Sequence, residues 1–180
     1  MEGGHAIAIV SAALKQLLEN ALVSDATGIS GASVSLLPPD RVVTGAQETA
    51  QLNLFLYRVA PYAALRRDAP AVDKGFALEL FYLLTAYGHE FQAELLLGQA
   101  LRLLHQHAEM DASQLERAAQ SEKALKAARK TPRRTKEITA VKITPLYLSF
   151  DEMTRLWSML HATYRPSVAC QVSAVFIHTD

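Results

Sequence analysis

Hydrophobic positions along the chain follow helical spacing in some segments and strand spacing in others. In residues 6–23, apolar side chains recur every three or four positions with polar ones between them, which predicts an amphipathic helix. Residues 90–107 carry a wide apolar stripe that includes Phe91 and Leu95, and they predict a second helix.

The C-terminal part of the sequence predicts a capped helix followed by a long strand. Ser149 and Glu152 have the spacing of a capping box, in which each side chain bonds the other residue's backbone N–H. Pro166 cannot continue a helix, and small and β-branched residues dominate positions 168–177. A helix therefore starts after Ser149, and a strand buried on at least one side closes the chain.

Four further segments have the composition of strands. Residues 33–37 precede a Pro–Pro pair and predict a short strand, since such a pair suits an edge strand or a strand end. Residues 51–60 have apolar side chains on both faces, which is typical of a central strand. Residues 76–87 could form a helix, but their Phe, Tyr and Thr content favours a strand, and residues 137–148 predict the fourth.

The order of these elements is typical of an α+β fold. Strands in succession, with a late alternation of helix and strand, indicate a mixed or mostly antiparallel sheet packed by about three helices. The length of 180 residues suits a single domain, 1–180, with a basic, variable loop at about 108–136.

Charge is concentrated in one segment although the molecule is neutral. Residues 123–136 contain seven basic side chains and no acidic one, so the rest of the chain carries −7. The segment is either a solvated loop or a contact arm for an acidic partner surface. The second interpretation makes candidate contacts of Lys126, Arg129, Lys130, Arg133 and Arg134. Nucleic-acid binding is disfavoured because the segment has no aromatic residue to stack on bases.

The sequence lacks the motifs of common enzymes and cofactor sites. It has no Gly-rich phosphate-binding motif and no nucleophile elbow. His89-Glu90 resembles the start of a zinc-protease helix, but Ala93 stands where the second histidine is needed. Cys170 is the only cysteine and lies in an apolar strand, where it acts as a small hydrophobe. We expect no catalytic residue, no cofactor and no metal.

Two features could belong to a ligand site but have simpler structural explanations. Trp157, Tyr82, Tyr87 and Phe91 could line an aromatic pocket, but core packing is the stronger explanation because aromatic rings supply large buried area in any such domain. Arg165 stands at a predicted turn, where pairing with a carboxylate or capping of carbonyls is the expected role. No apolar run is long enough to span a membrane, and the N-terminus lacks the basic region of a signal peptide. These features predict a cytoplasmic protein.

Three stretches together resemble one known family. They are residues 52–61 (LNLFLYRVAP), residues 77–88 (ALELFYLLTAYG) followed by 97–101 (LGQAL), and the ITP, LW and YRPSV groups of residues 143–168. As a set they resemble the tail-terminator, or cap, proteins of extracellular contractile injection systems, the phage-tail-like particles typified by Photorhabdus virulence cassettes and antifeeding prophages. The signature residues, for which the resemblance implies a scaffold role, are Trp157, Tyr164, Arg165, Pro166 and Ser167.

The resemblance implies a structural subunit rather than an enzyme. Such proteins form a ring, expected to be hexameric, that caps the inner tube and sheath and stops polymerisation at a set length. The implied partners are copies of the chain itself and the sheath and inner-tube proteins of a particle that can be released from the cell. An adaptor or baseplate-associated role in the same particle, and a nucleic-acid-binding module that uses the basic loop, stay open as alternatives.

Overall fold

The structure, a computed structural model, describes residues 5–23, 29, 31–62, 75–121 and 140–178. The described elements are, in chain order, α1 (Ala6–Val23), β1 (Ser33–Ser35), β2 (Gln51–Pro61), β3 (Gly75–Tyr87), α2 (Gln92–Gln106), β4 (Glu109–Met110), α3 (Ala112–Ser121), β5 (Val141–Leu146), α4 (Phe150–Met159) and β6 (Ser167–His178). The α+β prediction is confirmed, with four helices in the described part where about three were expected.

The strands form one six-stranded sheet in the order β1-β2-β3-β6-β5-β4. β1 runs parallel to β2, and every other neighbouring pair is antiparallel, so the sheet is mixed. β3 lies at its centre and is the segment for which helix and strand were both open. Its apolar side chains alternate between two covered faces, which explains why almost the whole strand is buried.

Helices cover the two faces of the sheet unequally. Leu80, Tyr82 and Leu84 of β3 belong to the large core that α1, α2 and α3 build on one face. Leu83 points to the other face, where a smaller core forms with Met153, Leu156 and Trp157 of α4. Among the described residues, a single short helix therefore covers the second face.

Strand β2 is central over only half of its length. Leu52, Asn53 and Leu54 are buried, whereas Arg58 and Val59 are exposed. The reason is that β1 pairs with no more than the first three residues of β2, and the pairing with β3 shifts register after Leu56. The prediction of a strand covered on both sides is correct for the first half and wrong for the second.

The interval at about 108–136 is not a loop throughout. Its first part contains β4 and α3, and Leu115, Ala118 and Ala119 of α3 are buried. The hydrophobic pattern of α3 is weak because the helix has only ten residues and two of its three buried side chains are alanine. Residues 122–139, which include the basic segment, lie outside the described residues.

The start of α2 also differs from the prediction. The helix begins at Gln92, and its buried residues are Leu96, Ala100, Leu103 and Leu104. Phe91 precedes it in the left-handed region (φ 57°) with 76% of its surface exposed, and Leu95 is 53% exposed. The apolar stripe is thus wider than the sheet can cover, and its outer edge faces solvent.

The smaller core depends on a local signal that the sequence does carry. In the predicted capping box, the Glu152 N–H donates to Ser149 Oγ (3.3 Å) and the Ser149 N–H donates to Glu152 Oε2 (2.8 Å). The box fixes the start of α4, so that Met153, Leu156 and Trp157 fall on the face that meets the sheet.

We expect Gly98→Ala to stabilise the protein. Gly98 lies inside α2, and a methyl group added there would meet nothing within 4 Å. Alanine in a helix interior is favoured over glycine by about 0.5–1 kcal/mol, because glycine loses more backbone freedom on folding. The measurement is the free energy of unfolding in urea.

Gly88→Ala provides the matched control, with the opposite sign expected. Gly88 has φ 147°, and its added Cβ would lie 2.9 Å from Cβ of Gln92. A Gly98→Ala variant that loses stability as Gly88→Ala does would contradict the open surroundings of Gly98.

Candidate assembly surface at one end of the sheet

Several connections meet at the end of the sheet where β3 ends and β6 begins. In the strand register, Tyr87 pairs with Gln51 at the start of β2, and Thr85 pairs with Ser167 at the start of β6. Leu146 at the end of β5 pairs with Ala169. The segments before β2, after β3, after β5 and before β6 therefore come together here.

Arg165 holds two of these segments together. Its guanidinium donates to both carboxylate oxygens of Glu48, at 2.8 and 2.7 Å, and lies 4.7 Å from the ring centre of Tyr87. Glu48 Oε1 also accepts from the Gly88 N–H (2.9 Å). Burial raises the pKa of Glu48, but the hydrogen bonds from Arg165 and Gly88 outweigh it, and the pKa lies below its ordinary value.

Trp157 connects α4 to the same turn. Its Nε1–H donates to Ser167 Oγ (3.0 Å), and that hydroxyl donates to the backbone carbonyl of Arg165 (2.6 Å). The rings of Trp157 and Tyr164 meet edge to face, with 5.9 Å between their centres. Four of the five signature residues are therefore in one contact network, and Pro166 is exposed in the turn beside them.

Beside this network is a group of exposed aromatic side chains, which we call the α4 patch: Tyr147, Phe150 and Tyr164. They are 89%, 75% and 50% exposed, and the rings of Phe150 and Tyr164 meet edge to face at 6.4 Å. Exposed apolar patches on a soluble domain mark interaction surfaces. The Arg165 and Trp157 contacts hold the turn that presents Tyr164.

The aromatic residues singled out from the sequence do not form one pocket. Tyr82 and Tyr87 are buried, and Tyr82 Oη shares a 2.8 Å hydrogen bond with Ser11 Oγ. Trp157 belongs to the smaller core, whereas Phe91 faces solvent. Core packing therefore accounts for three of the four, and the fourth lies on the surface.

The described residues offer little to reaction chemistry. No group of three or more His, Cys, Asp or Glu side chains in that part of the chain could hold a metal ion. Cys170 is buried, and burial raises the pKa of its thiol to about 12, so the nucleophilic thiolate is scarce at neutral pH. Among the same residues, no helix is long and apolar enough to cross a membrane.

Sequence reasoning identified some of this surface and missed the rest. Arg165 and Trp157 stood out, but Glu48 did not, because it lies 117 positions from Arg165 and no local pattern connects them. The candidate basic contacts Lys126, Arg129, Lys130, Arg133 and Arg134 lie outside the described residues.

A family model settles the relationship of the chain to known proteins. The model described as the Pvc16 N-terminal domain matches residues 9–180. The chain belongs to this family. Comparison with curated protein sequences found no significant match.

This member of the Pvc16 N-terminal domain family has a fold similar to two solved structures. The fold is similar to the PVC sheath/tube terminator of an extracellular contractile injection system in its extended state (TM-score 0.64, 15% identity), covering 97% of this chain and 57% of that one. It is also similar to the tube-terminating cap of the anti-feeding prophage (TM-score 0.55, 14% identity), covering 90% of this chain and 54% of that one. The chain thus spans little more than half the length of each.

Proposed function

We propose that the protein is a structural subunit that caps the tube and sheath of a contractile, phage-tail-like injection particle and ends tail polymerisation. The proposal rests on the agreement between the family to which the chain belongs and the solved structures whose fold it shares. The family model spans residues 9–180, and the two similar structures, a sheath/tube terminator and a tube-terminating cap, cover nearly the whole chain. Residues 1–180 act as one domain in this proposal, made in the cytoplasm and incorporated into the particle.

A cap needs one surface that binds the growing end of the tail. Its opposite surface must not bind further tail subunits. Subunits that meet head to tail form a closed ring when the rotation between them closes, and a fibre when it does not. We propose a homo-oligomeric ring, expected to be hexameric, whose members use different surfaces for their neighbours and for the tail. The α4 patch is our candidate for the contact with the sheath or tube, since its three aromatic rings are exposed on a rigid support.

The test is electron microscopy of particles produced without this protein. Loss of the cap should give overlong tails of variable length, because nothing halts polymerisation at the set length. Supplying the wild-type chain in trans should restore a narrow length distribution. Tails of normal length in its absence would refute the proposal.

The α4 patch is tested by complementation with Phe150→Ala. This variant should leave tails overlong, since it removes an exposed ring from the proposed contact while the core stays intact. Met159→Ala is the matched control: Met159 is 70% exposed on the same helix, about two and a half turns further on and thus on the other side. If Phe150→Ala restores tail length as well as Met159→Ala does, the contact lies elsewhere.

A further inference from the structure

The N-terminal end of α2 carries a second exposed apolar surface, which we call the α2 patch: Glu90, Phe91, Glu94 and Leu95. All four residues are exposed, Phe91 to 76% and Leu95 to 53%. The Leu95 N–H donates to the backbone carbonyl of Phe91 (2.9 Å), which places Phe91 one turn before Leu95 at the start of α2. The patch is an aromatic ring and a leucine bordered by two carboxylates.

Phe91 has a strained backbone conformation, and burial of its side chain does not compensate for the strain. A bulky residue with φ 57° is an uncommon conformation that costs free energy. Burial of the ring would offset that cost, but the ring is mostly exposed. A partner that covers Phe91 would supply the missing burial.

The two carboxylates of the patch have no partner among the described residues. No hydrogen bond or ion pair involves the side chain of Glu90 or Glu94 in the described part of the chain. Both carboxylates are therefore available to pair with basic side chains of a partner.

The environment of Arg165 shows that an aromatic ring next to a carboxylate binds an arginine side chain in this fold. Arg165 lies against the ring of Tyr87 and pairs with the carboxylate of Glu48. The α2 patch has the same ingredients, a ring and carboxylates, without an arginine. A guanidinium over Phe91 would gain a cation–π contact and a carboxylate pair, and its methylene groups would cover Leu95.

We infer that the α2 patch binds the basic segment, residues 123–136, of a second copy of this chain. The segment carries seven basic residues and no acidic one, and the rest of the chain carries the balancing −7, so copies of the chain are complementary to one another. Patch and segment are different surfaces, which is what a head-to-tail contact between ring neighbours needs. The inference rests on the proposed cap function only in requiring an assembly of copies.

The experiment is sedimentation equilibrium of the full-length chain at low salt. Phe91→Ala, the patch-reversed variant Glu90→Lys/Glu94→Lys, and the segment-reversed variant should each weaken self-association about tenfold or more. The segment-reversed variant is Lys126→Glu/Arg129→Glu/Lys130→Glu/Arg133→Glu/Arg134→Glu, in which seven basic residues become two basic and five acidic ones. Raising the salt should weaken the wild-type contact in the same direction, because exposed charges are screened. Asp40→Lys/Glu109→Lys is the matched control, since it changes the net charge equally at two exposed acidic residues outside the patch.

Mixing Phe91→Ala with the segment-reversed variant identifies the occupant. Phe91→Ala keeps its basic segment and the segment-reversed variant keeps its patch, whereas the remaining patch and segment are both acidic and repel each other. A one-to-one mixture should therefore form pairs that stop at two chains. Combining both sets of reversals in one chain should restore association, because the charges are complementary again. If the combined chain recovers but the mixture forms no pairs, the segment binds the patch of its own chain and the inference is wrong.

Three other results would also overturn the inference. The wild-type chain could stay monomeric at low salt, or the patch-reversed variant could associate as well as the control does. The third result is that reversal of the segment abolishes binding to duplex DNA but leaves self-association unchanged. These outcomes are separable from failure of the cap proposal. Overlong tails without the protein, together with normal association of the α2-patch variants, would keep the cap and remove this contact.

Discussion

Replacing Trp157 with alanine is expected to lower the free energy of unfolding by about 3–5 kcal/mol. Trp157 is 2% exposed and is the largest buried member of the smaller core, whose other buried members are Leu83, Met153 and Leu156. So small a core cannot refill the space of an indole ring. Chemical denaturation of the variant and the wild type measures the difference.

Trp157→Phe separates packing from hydrogen bonding at this position. It keeps an aromatic ring but removes the Nε1–H that donates to Ser167 Oγ, so we expect a smaller loss, about 1–2 kcal/mol. Met159→Ala, at an exposed position of the same helix, should change stability by less than about 0.5 kcal/mol. If Trp157→Ala lowers the free energy of unfolding no more than Met159→Ala does, then packing of Trp157 does not hold α4 against the sheet.

The effect of Trp157→Ala should extend to the proposed contact surface. Tyr164 packs against Trp157 on one side and Phe150 on the other. Without the indole, Tyr164 loses the buried ring that supports it. A stability variant at Trp157 should therefore also impair capping, whereas Phe150→Ala should impair capping with little loss of stability.

The parts of the fold that were predictable are those with a local cause. The capping box lies within the four residues from Ser149 to Glu152, and both of its hydrogen bonds form in the structure. β3 was predictable because its apolar residues fill both rows and its composition favours strands. In each case one short window of sequence contains the interactions that determine the element.

The errors arose where distant parts of the chain decide the outcome. Leu95 and Phe91 are as apolar as their buried neighbours, and only the position of α2 on the sheet exposes them. β2 loses its cover halfway because β1 is three residues long, which its own sequence does not reveal. α3 went unrecognised because alanine contributes most of its buried face.

Glu48 illustrates the same limit at the candidate surface. The sequence indicated that Arg165 needs an acceptor, but any of the acidic residues could have served. The choice depends on the register that places Gln51 opposite Tyr87, so that the loop before β2 meets the turn before β6. Three separate segments, at Glu48, Tyr87 and Arg165, must come together before the network exists.

Breaking this network is the second large effect that we expect. Glu48→Gln should lower the free energy of unfolding at neutral pH by about 2–3 kcal/mol, because it leaves the Arg165 guanidinium without its charged partner. The Glu48 side chain is only 8% exposed, and that of Arg165 is 26% exposed, so water cannot fully replace the lost bonds. Glu19→Gln, which breaks the more exposed pair of Lys15 and Glu19 on α1, should cost no more than about 0.5 kcal/mol.

The pH dependence gives this prediction a second, independent measurement. The pKa of Glu48 is lowered in the folded protein, so its carboxylate stabilises the fold above the ordinary pKa of glutamate. That stabilisation is lost as the pH falls through the lowered folded-state pKa and the carboxylate takes up a proton. The difference in unfolding free energy between wild type and Glu48→Gln should therefore shrink between pH 7 and about pH 3. A difference that stays constant over that range would mean that the variant acts by altered packing, and not by loss of the charge paired with Arg165.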